Sequence, residues 1–106
     1  DARETPAEPL AKNLMDSGIS VSTWDPYLTI DDIPKDINVI DDLDNARGFD
    51  MVVLATAHKE CIEIDWNSLL GKMRTPILYD GRRVLNLSSM QAMGWKANAV
   101  GSPQVN

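Results

Sequence analysis

The sequence predicts an α/β domain built on a mostly parallel sheet. Three observations carry that expectation. The run Met51-Val52-Val53-Leu54-Ala55 is continuously apolar, which fits a strand buried on both faces of a parallel sheet. Short apolar strands alternate with helical patterns, the order that gives parallel pairing through right-handed crossovers. No internal repeat, low-complexity tract or linker divides the chain, so residues 1–106 are read as one domain.

The elements follow in order. Thr5 caps a first helix, Pro6 suits its first helical position, and Glu8 completes a capping box. Pro9 is awkward there, because it removes an early intrahelical bond. Leu10, Ala11, Leu14 and Met15 mark one apolar face, and Gly18 ends the helix. Residues 19–24 alternate as a strand that Asp25-Pro26-Tyr27 closes with a turn. Residues 28–36 form an irregular acidic connection, and 37–40 form a short strand. Asp41 or Asp42 then caps a helix running through Arg47 to Gly48. After the apolar strand, Asp65 caps a helix carrying Trp66, Leu69, Leu70 and Met73. Residues 76–79 are the next strand. Asn86 or Ser88 opens a last helix that Gly94 stops, and 95–100 form the final strand. A doubly wound sheet normally opens on a strand, whereas this chain opens on a helix. The first strand is therefore expected upstream of Asp1, and the chain is read as a fragment of a larger protein.

Composition narrows the function classes. The chain has 43% hydrophobic and 25% charged residues, ordinary for a globular domain, and a net charge of −6. That acidity argues against a nucleic-acid binder, which needs a basic stripe. No apolar run approaches the length of a membrane span, no basic amphipathic helix suits a membrane surface, and no signal-peptide pattern is present. The single cysteine, Cys61, permits no internal disulfide, and a reducing cytoplasm is the expected compartment.

Few residues carry recognisable chemistry. Neither a G-x-G-x-x-G nor a Walker loop occurs. His58, the only histidine, lies at a strand end but has no nucleophile at a defined spacing, so a structural hydrogen-bonding role is favoured over a general base. Cys61 and His58 are too small a set for a metal, and nothing nearby in sequence activates the thiol; a buried apolar thiol is expected. Asp31, Asp32, Asp36, Asp41, Asp42 and Asp44 lack the spacing of a calcium loop and read as a solvated rim with helix caps. Trp24, Trp66 and Trp95 read as packing residues.

The exception is Asp80-Gly81-Arg82-Arg83, a turn at the carboxyl end of a strand. Ligands of open α/β sheets sit outside those ends, and arginine offers a permanently charged planar fork for phosphate. An arginine pair there, in an acidic chain, points to an anionic ligand; the competing reading is a surface salt bridge. Side chains diverge along extended backbone, so one arginine is expected to face the ligand. The other would brace the turn against Asp80 or another carboxylate. Arg3, near the start of the first helix, is a second anion candidate.

Five motifs in register resemble the C-terminal domain of the UDP-glucose/GDP-mannose dehydrogenase family. Asp1-Ala2-Arg3-Glu4-Thr5-Pro6-Ala7 resembles its D-x-R-x-S/T-P-A helix start, and Val21-Ser22-Thr23-Trp24-Asp25-Pro26-Tyr27 its V-x-x-Y-D-P-Y/K strand and turn. Val52-Val53-Leu54-Ala55-Thr56-Ala57-His58, with Ile64-Asp65 behind it, resembles the strand ending T-E-H or T-E-W and the following L-D. Tyr79-Asp80-Gly81-Arg82-Arg83-Val84-Leu85 is similar to F-D-G-R-R-V-L, and Gly94-Trp95 with Val100-Gly101 to the closing G-F/W and I-G. Trp24 stands where Tyr is usual. Cys61 stands where Phe is common, which separates it from the family's catalytic cysteine.

The resemblance implies a Rossmann-like three-layer α/β sandwich that binds the nucleotide end of a UDP-sugar. It also implies a parent enzyme, an NAD-dependent nucleotide-sugar 6-dehydrogenase that oxidises UDP-glucose or a related sugar nucleotide to the uronic acid. NAD and the catalytic cysteine would belong to other parts of that polypeptide. No catalytic residue and no metal ligand are therefore expected here, and the 106 residues alone are expected to be inactive. By the same resemblance Arg82 contacts substrate, Asp1 and Ala2 end a substrate-contacting loop, and Arg3 reaches toward NAD. The expected partners are the UDP-sugar and the N-terminal NAD-binding domain, within a homo-oligomeric parent that supplies polysaccharide precursors. The double arginine favours the UDP-glucose branch over the D-x-R-N members. A non-catalytic α/β nucleotide-binding or assembly module is the alternative.

Overall fold

The structure, a computed structural model, describes residues 7–27, 31, 33 and 35–101. The chain divides into two compact units, Asp1–Asn45 and Ala46–Asn106. Both are α/β with parallel strands, as a Rossmann-like fold requires.

In the first unit, helix α1 (Ala7–Asp16) ends as the sequence predicts. Gly18, at φ 85°, lets the chain leave the helix while the N–H groups of Gly18 and Ile19 bond to the Met15 and Leu14 carbonyls. Of the expected apolar face, Ala11 is buried and packs with Ile33, Ile37, Met15, Val21 and Val39, while Leu10 is exposed. Strands β1 (Ser22–Thr23) and β2 (Asn38–Val39) pair in parallel, Ser22 opposite Asn38. Both are shorter than the alternation predicts. The helix expected to run through Arg47 is a single 3-10 turn, Leu43–Asn45, with Asp42 Oδ1 accepting the Asp44 N–H at 2.9 Å. The predicted capping of α1 by Thr5 and Pro6 lies outside the described residues.

The second unit holds β3 (Met51–Leu54), α2 (Lys59–Ile62), α3 (Trp66–Leu70), β4 (Ile77–Asp80), α4 (Leu87–Met93) and β5 (Lys96–Ala99). The strands form one parallel sheet in the order β3-β4-β5, with Leu54, Asp80 and Ala99 level at the carboxyl edge. Caps fall on the predicted residues: Asp65 accepts the Ser68 N–H and Asn86 the Ser89 N–H, each at 3.0 Å. Gly94, at φ 119°, closes α4.

Alternate residues of β4 and β5 are buried: Leu78 and Asp80 on one strand, Ala97 and Ala99 on the other. Trp66 and Trp95, both buried, meet edge to face, with ring centroids 6.1 Å apart. Each indole N–H is satisfied, Trp66 by the Ile62 carbonyl at 3.0 Å and Trp95 by the Trp66 carbonyl at 3.1 Å. Burial of β3 on both faces, expected from its apolar run, does not hold. It is an edge strand of this sheet, Met51 is 52% exposed, and only Leu54 is fully buried. Among the described residues no helix is long and apolar enough to cross a membrane.

Candidate functional site

Parallel pairing brings the carboxyl ends of β3, β4 and β5 to one edge, with β4 in the middle. The turn after β4 is fastened to both neighbours. Gly81 N–H donates to the Leu54 carbonyl at 2.9 Å, and Val100 N–H donates to the Asp80 carbonyl at 3.0 Å. A Cβ at residue 81 would lie 3.0 Å from the Leu54 oxygen, so glycine lets the two strand ends come together without either giving way.

Asp80 organises the turn from inside. It is 0% exposed, yet its carboxylate meets no cation among the described residues. Backbone donors surround it instead. Oδ1 accepts the Arg82 N–H at 3.0 Å, and Oδ2 accepts those of Val84 and Leu85, both at 2.8 Å. A buried carboxylate without such donors would cost several kcal/mol, so these bonds decide whether it can sit there. Three donors can converge on one carboxylate only if the chain curls around it. Arg83 provides the curl, with φ 55° in the left-handed region. That conformation costs an L residue about 1–2 kcal/mol. Hydrogen bonds to a charged acceptor contribute about 1.5–3 kcal/mol each, so the carboxylate wins.

The side chains of Arg82 and Arg83 are both exposed, and no carboxylate pairs with either among the described residues. Bracing of the turn by an arginine against Asp80, one sequence expectation, is replaced by backbone donors. The divergence argument fails with it, because residues 81–83 form a turn rather than extended backbone. Arg83 reaches toward the end of β5: a Cβ added at Gly101 would lie 3.4 Å from its Nη1. Arg74, at the opposite edge of the sheet, shows the bland alternative. Its Nε lies 3.7 Å from Asp50 Oδ1, an exposed pair worth at most about 1 kcal/mol.

The end of β3 contributes less. His58 is the N-cap residue of α2, and its carbonyl accepts the N–H groups of Cys61 and Ile62 at 2.9 and 3.0 Å. Cys61 is buried, with Sγ 3.4 Å from Thr56 Oγ1. No three His, Cys, Asp or Glu residues gather to hold a metal among the described residues. Asp1, Ala2 and Arg3, the other expected site residues, lie outside the described residues.

A family model described as the UDP-glucose/GDP-mannose dehydrogenase family, UDP binding domain, matches residues 1–87. The chain belongs to this family. The matched stretch includes β1 to β4, the Asp80 turn and the start of α4. Among relatives, a UDP-glucose 6-dehydrogenase of Rickettsia conorii is 28% identical over 96% of this chain and 25% of its own length. A UDP-N-acetyl-D-mannosamine dehydrogenase of Pyrococcus horikoshii is 32% identical over 80% of the chain and 19% of its length. UDP-glucose 6-dehydrogenase 2 of Arabidopsis thaliana is 26% identical over 97% of the chain and 27% of its length. The chain thus spans about a quarter of the length of the curated relatives it matches. The family is one of dehydrogenases, and this chain corresponds to one domain of such enzymes.

The sequence placed Asp80 in the turn as a partner for an arginine, but not as a buried carboxylate that gathers three backbone donors. An aspartate followed by glycine at a strand end is the available signal, since Asp readily accepts the N–H two residues on.

Proposed function

We propose that residues 1–106 form a single domain that binds the nucleotide end of a UDP-sugar within an NAD-dependent nucleotide-sugar 6-dehydrogenase. The observation that carries this reading is the Asp80 turn. It presents two exposed arginines, neither ion-paired among the described residues, at the carboxyl end of the central strand β4. Ligands of open α/β sheets gather there, and a nucleoside diphosphate supplies the anionic oxygens that guanidinium groups recognise. Arg82 holds the substrate. Asp1 and Ala2 belong to a substrate-contacting loop, and Arg3 reaches toward NAD.

The sequence has no G-x-G-x-x-G turn, so its own residues do not fit the principal dinucleotide site. NAD, the hydride acceptor, is held mainly by an N-terminal domain of the same polypeptide. The catalytic cysteine also lies outside these residues, and the 106-residue chain is inactive by itself. The parent enzyme is cytoplasmic and homo-oligomeric, with UDP-glucose as the favoured substrate because of the paired arginines.

Calorimetric titration with UDP tests the binding role. Arg82→Ala should weaken binding by about 1.5–3 kcal/mol, the contribution of hydrogen bonds to a charged partner. Unchanged affinity would remove Arg82 from the site. Mixing the chain with NAD and UDP-glucose should give no NADH, and measurable NADH would overturn its assignment as a substrate-binding part only.

A further inference from the structure

We propose that Asp80 is a positioning residue for the anionic ligand, acting through the main chain of Arg82. This rests on the UDP-binding reading above. The Asp80 side chain is fully buried and cannot itself meet a ligand, and its charge would repel a diphosphate in any case. Its oxygens point into the turn. Oδ1 holds the N–H of Arg82, the residue assigned to the ligand, while Oδ2 holds Val84 and Leu85 beyond it. The turn is thereby clamped on both sides of the left-handed Arg83. Its base is tied to β3 through Gly81 and to β5 through Val100.

An exposed arginine on a free loop loses side-chain and backbone freedom when it grips a ligand, and that loss subtracts from affinity. Here the backbone part is already fixed before the ligand arrives. The arrangement separates two jobs that a single charged turn could confuse. The carboxylate is satisfied by main-chain donors, which leaves the Arg82 guanidinium available to the ligand.

Asp80→Asn is the discriminating substitution. Its amide oxygen can keep the position shared by Val84 and Leu85, while its NH2, a donor, then confronts the Arg82 N–H. UDP affinity of the 106-residue chain, measured by calorimetry on variants whose thermal unfolding shows them folded, should fall roughly tenfold in Asp80→Asn. The same substitution added to Arg82→Ala should cause no further fall, since the effect passes through Arg82. Equal losses in both backgrounds, or no loss in the first, overturn the proposal and leave the UDP-binding reading intact. Affinity unaffected by Arg82→Ala removes Arg82 from the site and overturns the proposal with it. If Asp80→Asn does not fold, amide hydrogen exchange of the unsubstituted chain decides. The Arg82 amide should exchange at least roughly tenfold more slowly than that of Tyr27, which is bonded to the more accessible Asp25. Equal rates overturn the proposal.

Discussion

After β1, Asp25 Oδ1 accepts the N–H of Tyr27 at 2.8 Å; after β4, Asp80 Oδ1 accepts the N–H of Arg82 at 3.0 Å. Both are aspartates bonding the amide two residues on, at the end of a parallel strand. The first stops there, half-buried, with proline at the next position. The second is sealed from water and gathers two more donors, with glycine pressed against the neighbouring strand. One local device thus serves two purposes. At Asp25 it punctuates the chain, and at Asp80 it becomes the framework of the turn that carries Arg82 and Arg83.

Substitutions can break or sharpen this contrast. Asp80→Ala should be the most damaging, because three N–H donors lose their partner at about 1 kcal/mol or more each. A loss of at least about 3 kcal/mol in urea unfolding is expected. Gly81→Ala should follow at about 1–3 kcal/mol, because the added methyl group meets the Leu54 oxygen and the strand ends must move apart. Asp25→Ala should cost less than about 1 kcal/mol, as befits a single bond near solvent; a loss as large as that of Asp80→Ala would erase the distinction. Arg82→Ala should change the unfolding midpoint least, within about 0.5 kcal/mol, since its side chain is exposed and its N–H survives. Stability lost there on the scale of Gly81→Ala would assign the guanidinium to the framework.

Sequence reading succeeded where neighbours along the chain decide the structure. Asp65 and Asn86 cap their helices, and Gly18 and Gly94 take positive φ where the chain must turn. It succeeded again with the alternation of strands and helices, which fixed parallel pairing before any contact was known. It failed where distant residues decide. Met51 is exposed because β3 has no partner on its outer side among the described residues, which an apolar run cannot reveal. Helix α2 is a single turn after His58, too short for a periodic signal. The exposed arginines on the turn after β4 were legible by type and place. The burial of Asp80 was not, because it depends on the two strands that flank β4.

The three bonds to the Asp80 carboxylate also bear on the order of assembly. They join residues only two, four and five positions apart, so closing them costs little chain entropy. The ladders on either side of β4 instead join segments separated by whole helices. A curled turn that can form early would offer each arriving strand an aligned edge: the Gly81 amide for β3 and the Asp80 carbonyl for β5. Folding rates of Asp80 variants should then drop nearly as much as their stability, which would make the Asp80 turn part of the folding nucleus.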